Sequence, residues 1–98
     1  MSLTMCVLLW AHPGHEGDLV SYEDRVLSLV PEHGGRVLQR ARSNGADGEP
    51  LEIQLLEFPS DSALAGYMDD GRRVSLADER DRAVARTQVI NIELIPPG

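Results

Sequence analysis

The chain has 98 residues, enough for one domain with a single thin core, and the reading takes 1–98 as that domain. Hydrophobic residues make up 42% and charged residues 26%, and the net charge is −7. So acidic a surface repels phosphate and disfavours a nucleic-acid partner. No apolar run approaches the ~20 residues that span a bilayer, so no membrane partner is expected.

All nine basic residues are arginine, which excludes a Schiff-base lysine. The single cysteine, Cys6, rules out an internal disulfide and a thiolate metal cluster. It lies in an apolar run, where a packed inert thiol is expected. No signal segment opens the chain, and the expected location is the cytoplasm. Residues 1–3, ahead of a second methionine at Met5, read as an expression leader as readily as native sequence and carry no function here.

The first element is a strand over 4–12, with Val7, Leu8, Leu9 and Trp10 in a row, apolar on both faces. Pro13 and Gly14 end it. A helix is predicted over 15–32, with Leu19, Tyr22, Val26 and Val30 in one stripe. Pro31 kinks or ends its last turn, and Gly34 and Gly35 stop it. A second strand, mixed in polarity like an edge strand, covers 36–43, and a turn occupies 44–50. The third strand is 51–58. Ser60 caps a second helix over 61–70, with Leu64, Tyr67 and Met68 on its buried face. A charged helical segment over about 74–85 precedes the last strand, 87–95, and Pro96 and Pro97 end the fold.

This order predicts an α+β, ferredoxin-like βαββαβ sandwich. Its four-stranded antiparallel sheet would run 4-1-3-2, with both helices on one face. The other face would still carry apolar residues of the first strand, which calls for a second copy of the chain.

The joints Gly34-Gly35-Arg36 and Leu55-Leu56-Glu57-Phe58-Pro59-Ser60, the following Tyr67, and the charged stretch from Arg80 to Arg86 resemble the DUF1330-like group of the dimeric α/β-barrel superfamily. The resemblance covers the whole chain and implies that fold and a homodimer. The group has no generally assigned activity. Its superfamily includes cofactor-free monooxygenases, lactone isomerases, dehydratases, haem binders and ligand sensors, so the resemblance selects no chemistry. Where the group shows a proline and then an aromatic after the second helix, this chain has Asp70, Gly71, Arg72 and Arg73.

Candidate site residues come from polar groups inside strands. Gln54, Asn91, Glu52 and Glu93 are read as sharing the face away from the helices, and Trp10 and Phe58 as able to join them. Trp10, His12, Gln54, Phe58 and Asn91 are the candidates for one ligand pocket. His12, at the end of the first strand, is the acid–base candidate because its proton titrates near neutrality. Its competing and commoner role is an exposed loop residue. His12, His15 and Glu16 lack a well-placed third ligand around an intervening Pro-Gly turn, so no metal is expected. His33 suits a helix C-terminus. Arg86 is a minor anion-binding candidate among charges read mostly as a solvated face.

These readings give a homodimer that binds a small organic molecule or acts as a cofactor-independent enzyme. The alternative is a non-catalytic dimeric module, structural or ligand-sensing, whose strand polar groups are interfacial. A haem or oxygen-chemistry protein is a third, weaker reading. No cofactor is assigned.

Overall fold

A computed structural model describes residues 2–98. Strand β1 (Leu3–Ala11) leads through helix α1 (Glu16–Leu27) and a 3-10 turn (Val30–His33) to β2 (Arg36–Arg42). A short 3-10 turn (Ala46–Gly48) precedes β3 (Glu52–Phe58). Helices α2 (Asp61–Met68), α3 (Gly71–Val74) and α4 (Ala77–Ala83) then lead to β4 (Val84–Asn91). The sheet order is β2-β3-β1-β4, and all three pairings are antiparallel. This is the ferredoxin-like α+β arrangement that the periodicity predicts.

The helix expected over 15–32 divides at its C-terminal end. The α-helix stops at Leu27, and Pro31 falls in the first positions of a separate 3-10 turn, where its missing N–H costs nothing. Gly34 closes that turn with φ 76°, the left-handed conformation that glycine adopts without strain. Gly35 is fixed by packing instead: a Cβ there would lie 2.8 Å from both the Phe58 ring and Val30. The glycine pair thus lets the chain cross closely over the end of β3.

The last strand starts and ends earlier than expected. It begins at Val84, directly at the end of α4, because a register shift at Trp10/Ala11 lets Val84 pair with Ala11. It ends at Asn91, opposite Met5, with one further bond from Ile92 N to Thr4 O. Beyond that point β1 has almost run out, and Leu94 and Ile95 stand exposed.

Alternation decides which residues form the core. Met5, Val7 and Leu9 of β1 are buried together with Leu56 and Phe58 of β3. They pack against Leu19, Tyr22, Val26 and Leu27 of α1 and Tyr67 of α2. The opposite parity carries Cys6, Leu8, Trp10, Ile53 and Leu55 on a sheet face without helices, all of them half-buried. Ile90 of β4, opposite Cys6, is 39% exposed.

Candidate functional site

A cavity of about 220 Å³ lies between the sheet and the helices. Its lining is mostly apolar, with Met5, Val7 and Leu9 from β1, Leu56 and Phe58 from β3, and Tyr67 and Met68 from α2. Glu23, Gln54, Thr87, Arg73 and Arg80 are its polar members.

Alternation along β3 puts Glu52 and Gln54 on the helix side, at 0% and 1% exposure. This corrects the expectation that they face away from the helices. Aliphatic residues occupy both parities of β3, so polarity alone does not orient the strand. What pulls the polar set inward is a supply of partners. Glu52 accepts from Arg40 Nε at 3.0 Å and Nη2 at 3.1 Å, and from Arg42 Nε at 3.0 Å. Both arginines come from the neighbouring strand β2. Gln54 Nε2 donates to Glu52 Oε2 and to Glu23 Oε1, each at 2.7 Å. A fully buried carboxylate is tolerated here because the surrounding donors satisfy it.

Glu23 sits on the inward stripe of α1 and is 6% exposed. Burial pushes its carboxyl up from its ordinary value, the Gln54 hydrogen bond opposes this, and nearby Glu52 adds to it. Its Oε1 is the only side-chain oxygen of Glu23 that a protein donor engages among the described residues. Burial likewise raises the Tyr67 hydroxyl, against the neighbouring Arg73.

Arg73 is carried by the short helix α3, whose start is anchored by Asp70. Asp70 caps Arg72 N at 2.9 Å, pairs with the Arg72 guanidinium at 2.9 Å and meets His33 Nε2 at 2.8 Å. The Arg72 and His33 contacts hold the Asp70 carboxyl well below the usual carboxylate range. His33 also meets Tyr67 edge-on at 6.2 Å. The Arg73 guanidinium stands 5.2 Å from the Tyr67 ring centroid.

Of the five pocket candidates, the structure brings together Gln54 and Phe58. Trp10 lies on the helix-free side, where its indole N–H donates to Gly48 O at 2.9 Å and Arg86 stacks over the ring at 4.3 Å. Arg86 is thereby occupied in packing. Asn91 shares the helix-side parity but is exposed beyond the cavity lining, and Glu93 is exposed past the end of β4.

His12 is exposed just after β1. It lies five residues beyond Val7, the partner of Gln54, and seven beyond Met5, the partner of Asn91. At ~3.3 Å per residue these separations are ~16 and ~23 Å, too far for a shared proton transfer. The titratable carboxyl on the cavity wall is instead Glu23. His15 Nδ1 contacts Asp18 at 2.8 Å, and no group of three His, Cys, Asp or Glu is placed to hold a metal ion among the described residues.

Glu23, Arg73 and Arg80 are polar lining residues that the strand-based candidates leave out. Glu23 carries a sequence signal all the same: it falls four residues after Leu19 and three before Val26, inside the apolar stripe. The inward turn of Arg73 has no such periodic signal in a four-residue helix.

No family model and no curated protein matches the chain. Among solved structures, it is similar to a protein from Pseudomonas aeruginosa at 16% identity, covering 97% of this chain and 95% of that one, with a TM-score of 0.74. A dimeric protein of unknown function with a ferredoxin-like fold from Bacteroides fragilis is 13% identical, with coverages of 95% and 96% and a TM-score of 0.69. A dabb family protein with a ferredoxin-like fold from Mesorhizobium loti is 16% identical, with coverages of 97% and 98% and a TM-score of 0.68. At these identities the likeness establishes the fold.

Proposed function

We propose that this chain forms a homodimer and that each subunit binds a small organic molecule in the cavity between sheet and helices, with Glu23 as its proton acceptor or donor. The observation that carries the reading is the cavity itself, an apolar chamber with one buried carboxyl on its wall. At 220 Å³ it exceeds the ~150 Å³ that accommodates benzene in an engineered apolar cavity and falls below the ~300 Å³ of drug-sized sites. A body of one or two rings, or an equivalent branched chain, matches that size. A carboxyl raised by burial, with an oxygen free of protein donors, is suited to proton transfer without a cofactor.

The dimer rests on the helix-free face. Cys6, Leu8, Ile53, Leu55 and Ile90 form one apolar patch across three adjacent strands, and a second copy is the economical cover. The dimeric neighbour from Bacteroides fragilis supports this reading. The likeness of the Gly34-Gly35-Arg36 and Phe58-Pro59-Ser60 joints to the DUF1330-like group is consistent with it. A reducing, cytoplasmic setting suits the half-buried thiol of Cys6. No helix is long and apolar enough to cross a membrane among the described residues.

The test is a ligand-observed NMR screen of small ring compounds in D2O, run on the wild type, Val89→Trp and Glu23→Gln. Val89 lines the cavity and is 56% exposed, so a tryptophan there blocks access without loading the core. Compounds that bind the wild type and lose binding in Val89→Trp support the site. Solvent exchange of an acidic C–H that disappears in Glu23→Gln supports the proton role. A screen in which Val89→Trp binds the same compounds equally well overturns the proposal.

A further inference from the structure

We infer that the ligand of this cavity carries an anionic group, a carboxylate or an oxyanion of similar size, that pairs with Arg73. The inference rests on the ligand-binding reading above and adds the chemical class of the ligand. The chain has sixteen acidic residues for nine arginines, and five of those arginines are in ion pairs with side-chain carboxylates. Arg73 is in none among the described residues. Among the described residues its Nε is buried without a hydrogen-bond partner, its Nη1 reaches Met68 O at a long 3.4 Å, and the face of its guanidinium rests 5.2 Å from the Tyr67 ring centroid, beside a hydroxyl it favours in the charged form.

A buried donor left unmade costs free energy and is rare in folded proteins, most of all on a charged group. Here the orphaned donor belongs to a residue that lines the cavity. A planar guanidinium offers adjacent N–H groups in the fork that a carboxylate accepts.

Charge points the same way. The cavity lining holds two arginines, Arg73 and Arg80, against one glutamate, Glu23, inside a protein of net charge −7. Among the described residues, the one side-chain hydrogen bond of Arg80 is a long contact to Thr87 Oγ1 at 3.3 Å. Glu23 is pinned to Gln54 on the sheet and is itself pushed toward its neutral form by burial, which reduces its repulsion of an incoming anion. The apolar lining would take the hydrophobic body and Arg73 the acid group.

Cinnamate and its uncharged isostere cinnamamide test this by isothermal titration at low salt. The wild type is expected to bind the acid about tenfold more tightly than the amide, the ratio of one charge-assisted hydrogen bond. Arg73→Gln is expected to erase that ratio by weakening the acid and leaving the amide nearly unchanged. Arg73→Lys, which keeps the charge without the fork, should retain part of it. Should Arg73→Gln not fold, the wild-type ratio and Arg73→Lys decide the matter. Equal binding of acid and amide to the wild type, both lost in Val89→Trp, overturns the anion inference and leaves the cavity reading standing. An acid preference that survives Val89→Trp puts the anion outside the cavity and also overturns the inference. Failure of both compounds to bind a wild type whose cavity takes uncharged compounds in the screen overturns the anion inference alone, and failure of both together with a screen insensitive to Val89→Trp overturns both readings.

Discussion

Gln54 Nε2 lies 2.7 Å from Glu23 Oε1 and joins the first helix to the central sheet from inside the core. The same nitrogen donates to Glu52 Oε2, so one amide uses both its hydrogens on two buried carboxyls. Gln54→Leu removes both bonds and leaves two acidic groups to be desolvated without them. The expected loss is about 2–4 kcal/mol, the range for breaking a buried charged network by deleting one partner. Urea unfolding measures it. A loss below about 0.5 kcal/mol would mean that water replaces the amide and that the network does not hold helix to sheet.

The acid limb of the stability profile has two opposing contributors. Glu23 has a folded pKa above its ordinary 4.5, so the folded state holds its proton more tightly than the unfolded chain. Its contribution is fully present below 4.5 and is lost as pH rises through the folded value. Glu52, Arg40 and Arg73 are the charged groups that modulate it. Asp70 runs the other way. Its pKa is lowered by Arg72 and His33, so its contribution is present above its ordinary 3.8 and fades as pH falls toward the folded value. Glu23→Gln should therefore flatten the fall in stability above pH 4.5 and leave the loss at lower pH in place. Chemical denaturation across pH checks this, and an unchanged slope in Glu23→Gln refutes the burial effect.

The fold was legible because each element carries its own period. The apolar run of β1, the Leu19–Tyr22–Val26–Val30 stripe and the Gly-Gly and Pro-Ser joints follow from local chemistry. Sheet order then follows from helical crossovers of fixed hand. The site was legible only in part. Gln54 and Phe58 share a parity that the sequence displays, but its direction depends on Arg40 and Arg42 lying beside Glu52, a relationship set by the register between β2 and β3. His12 stands out as a histidine at a strand end and Asn91 as an amide inside a strand expected over 87–95, yet β4 ends at Asn91, which is exposed there, and His12 follows the end of β1. Glu23 was hidden by its own charge within an apolar stripe.

Gly35 should tolerate no side chain. Gly35→Ala would drive a Cβ to 2.8 Å from the Phe58 ring and Val30, both fully buried. Neither can retreat without disturbing the core, and overpacking of this kind costs about 1–3 kcal/mol. Gly17→Ala in α1 is the control, since a methyl group there would meet nothing within 4 Å, and it should be neutral or slightly stabilising. Thermal denaturation of the two variants should separate them clearly. Equal melting temperatures would show that β3 yields at this point.

The two parities of β1 should fail differently when charged. Leu9 is 3% exposed beneath the helices, whereas Leu8 is half-buried on the helix-free face opposite Ile53. Leu9→Glu places a carboxylate in the core and should unfold the chain, because burying it there without a fitted partner is too costly. Leu8→Glu places the same group on the face assigned to the second subunit. It should leave the fold intact, with a wild-type circular dichroism spectrum, and convert the dimer to the 10.8 kDa chain. Ile53→Glu, its cross-strand neighbour, should do the same, since like charges placed symmetrically across a two-fold interface repel. Sedimentation at micromolar concentration reads the mass directly. A wild type that sediments as one chain, or a Leu8→Glu variant that remains dimeric, would move the interface elsewhere, with the exposed β4 edge and the Leu94–Ile95 tail as the next surface to test.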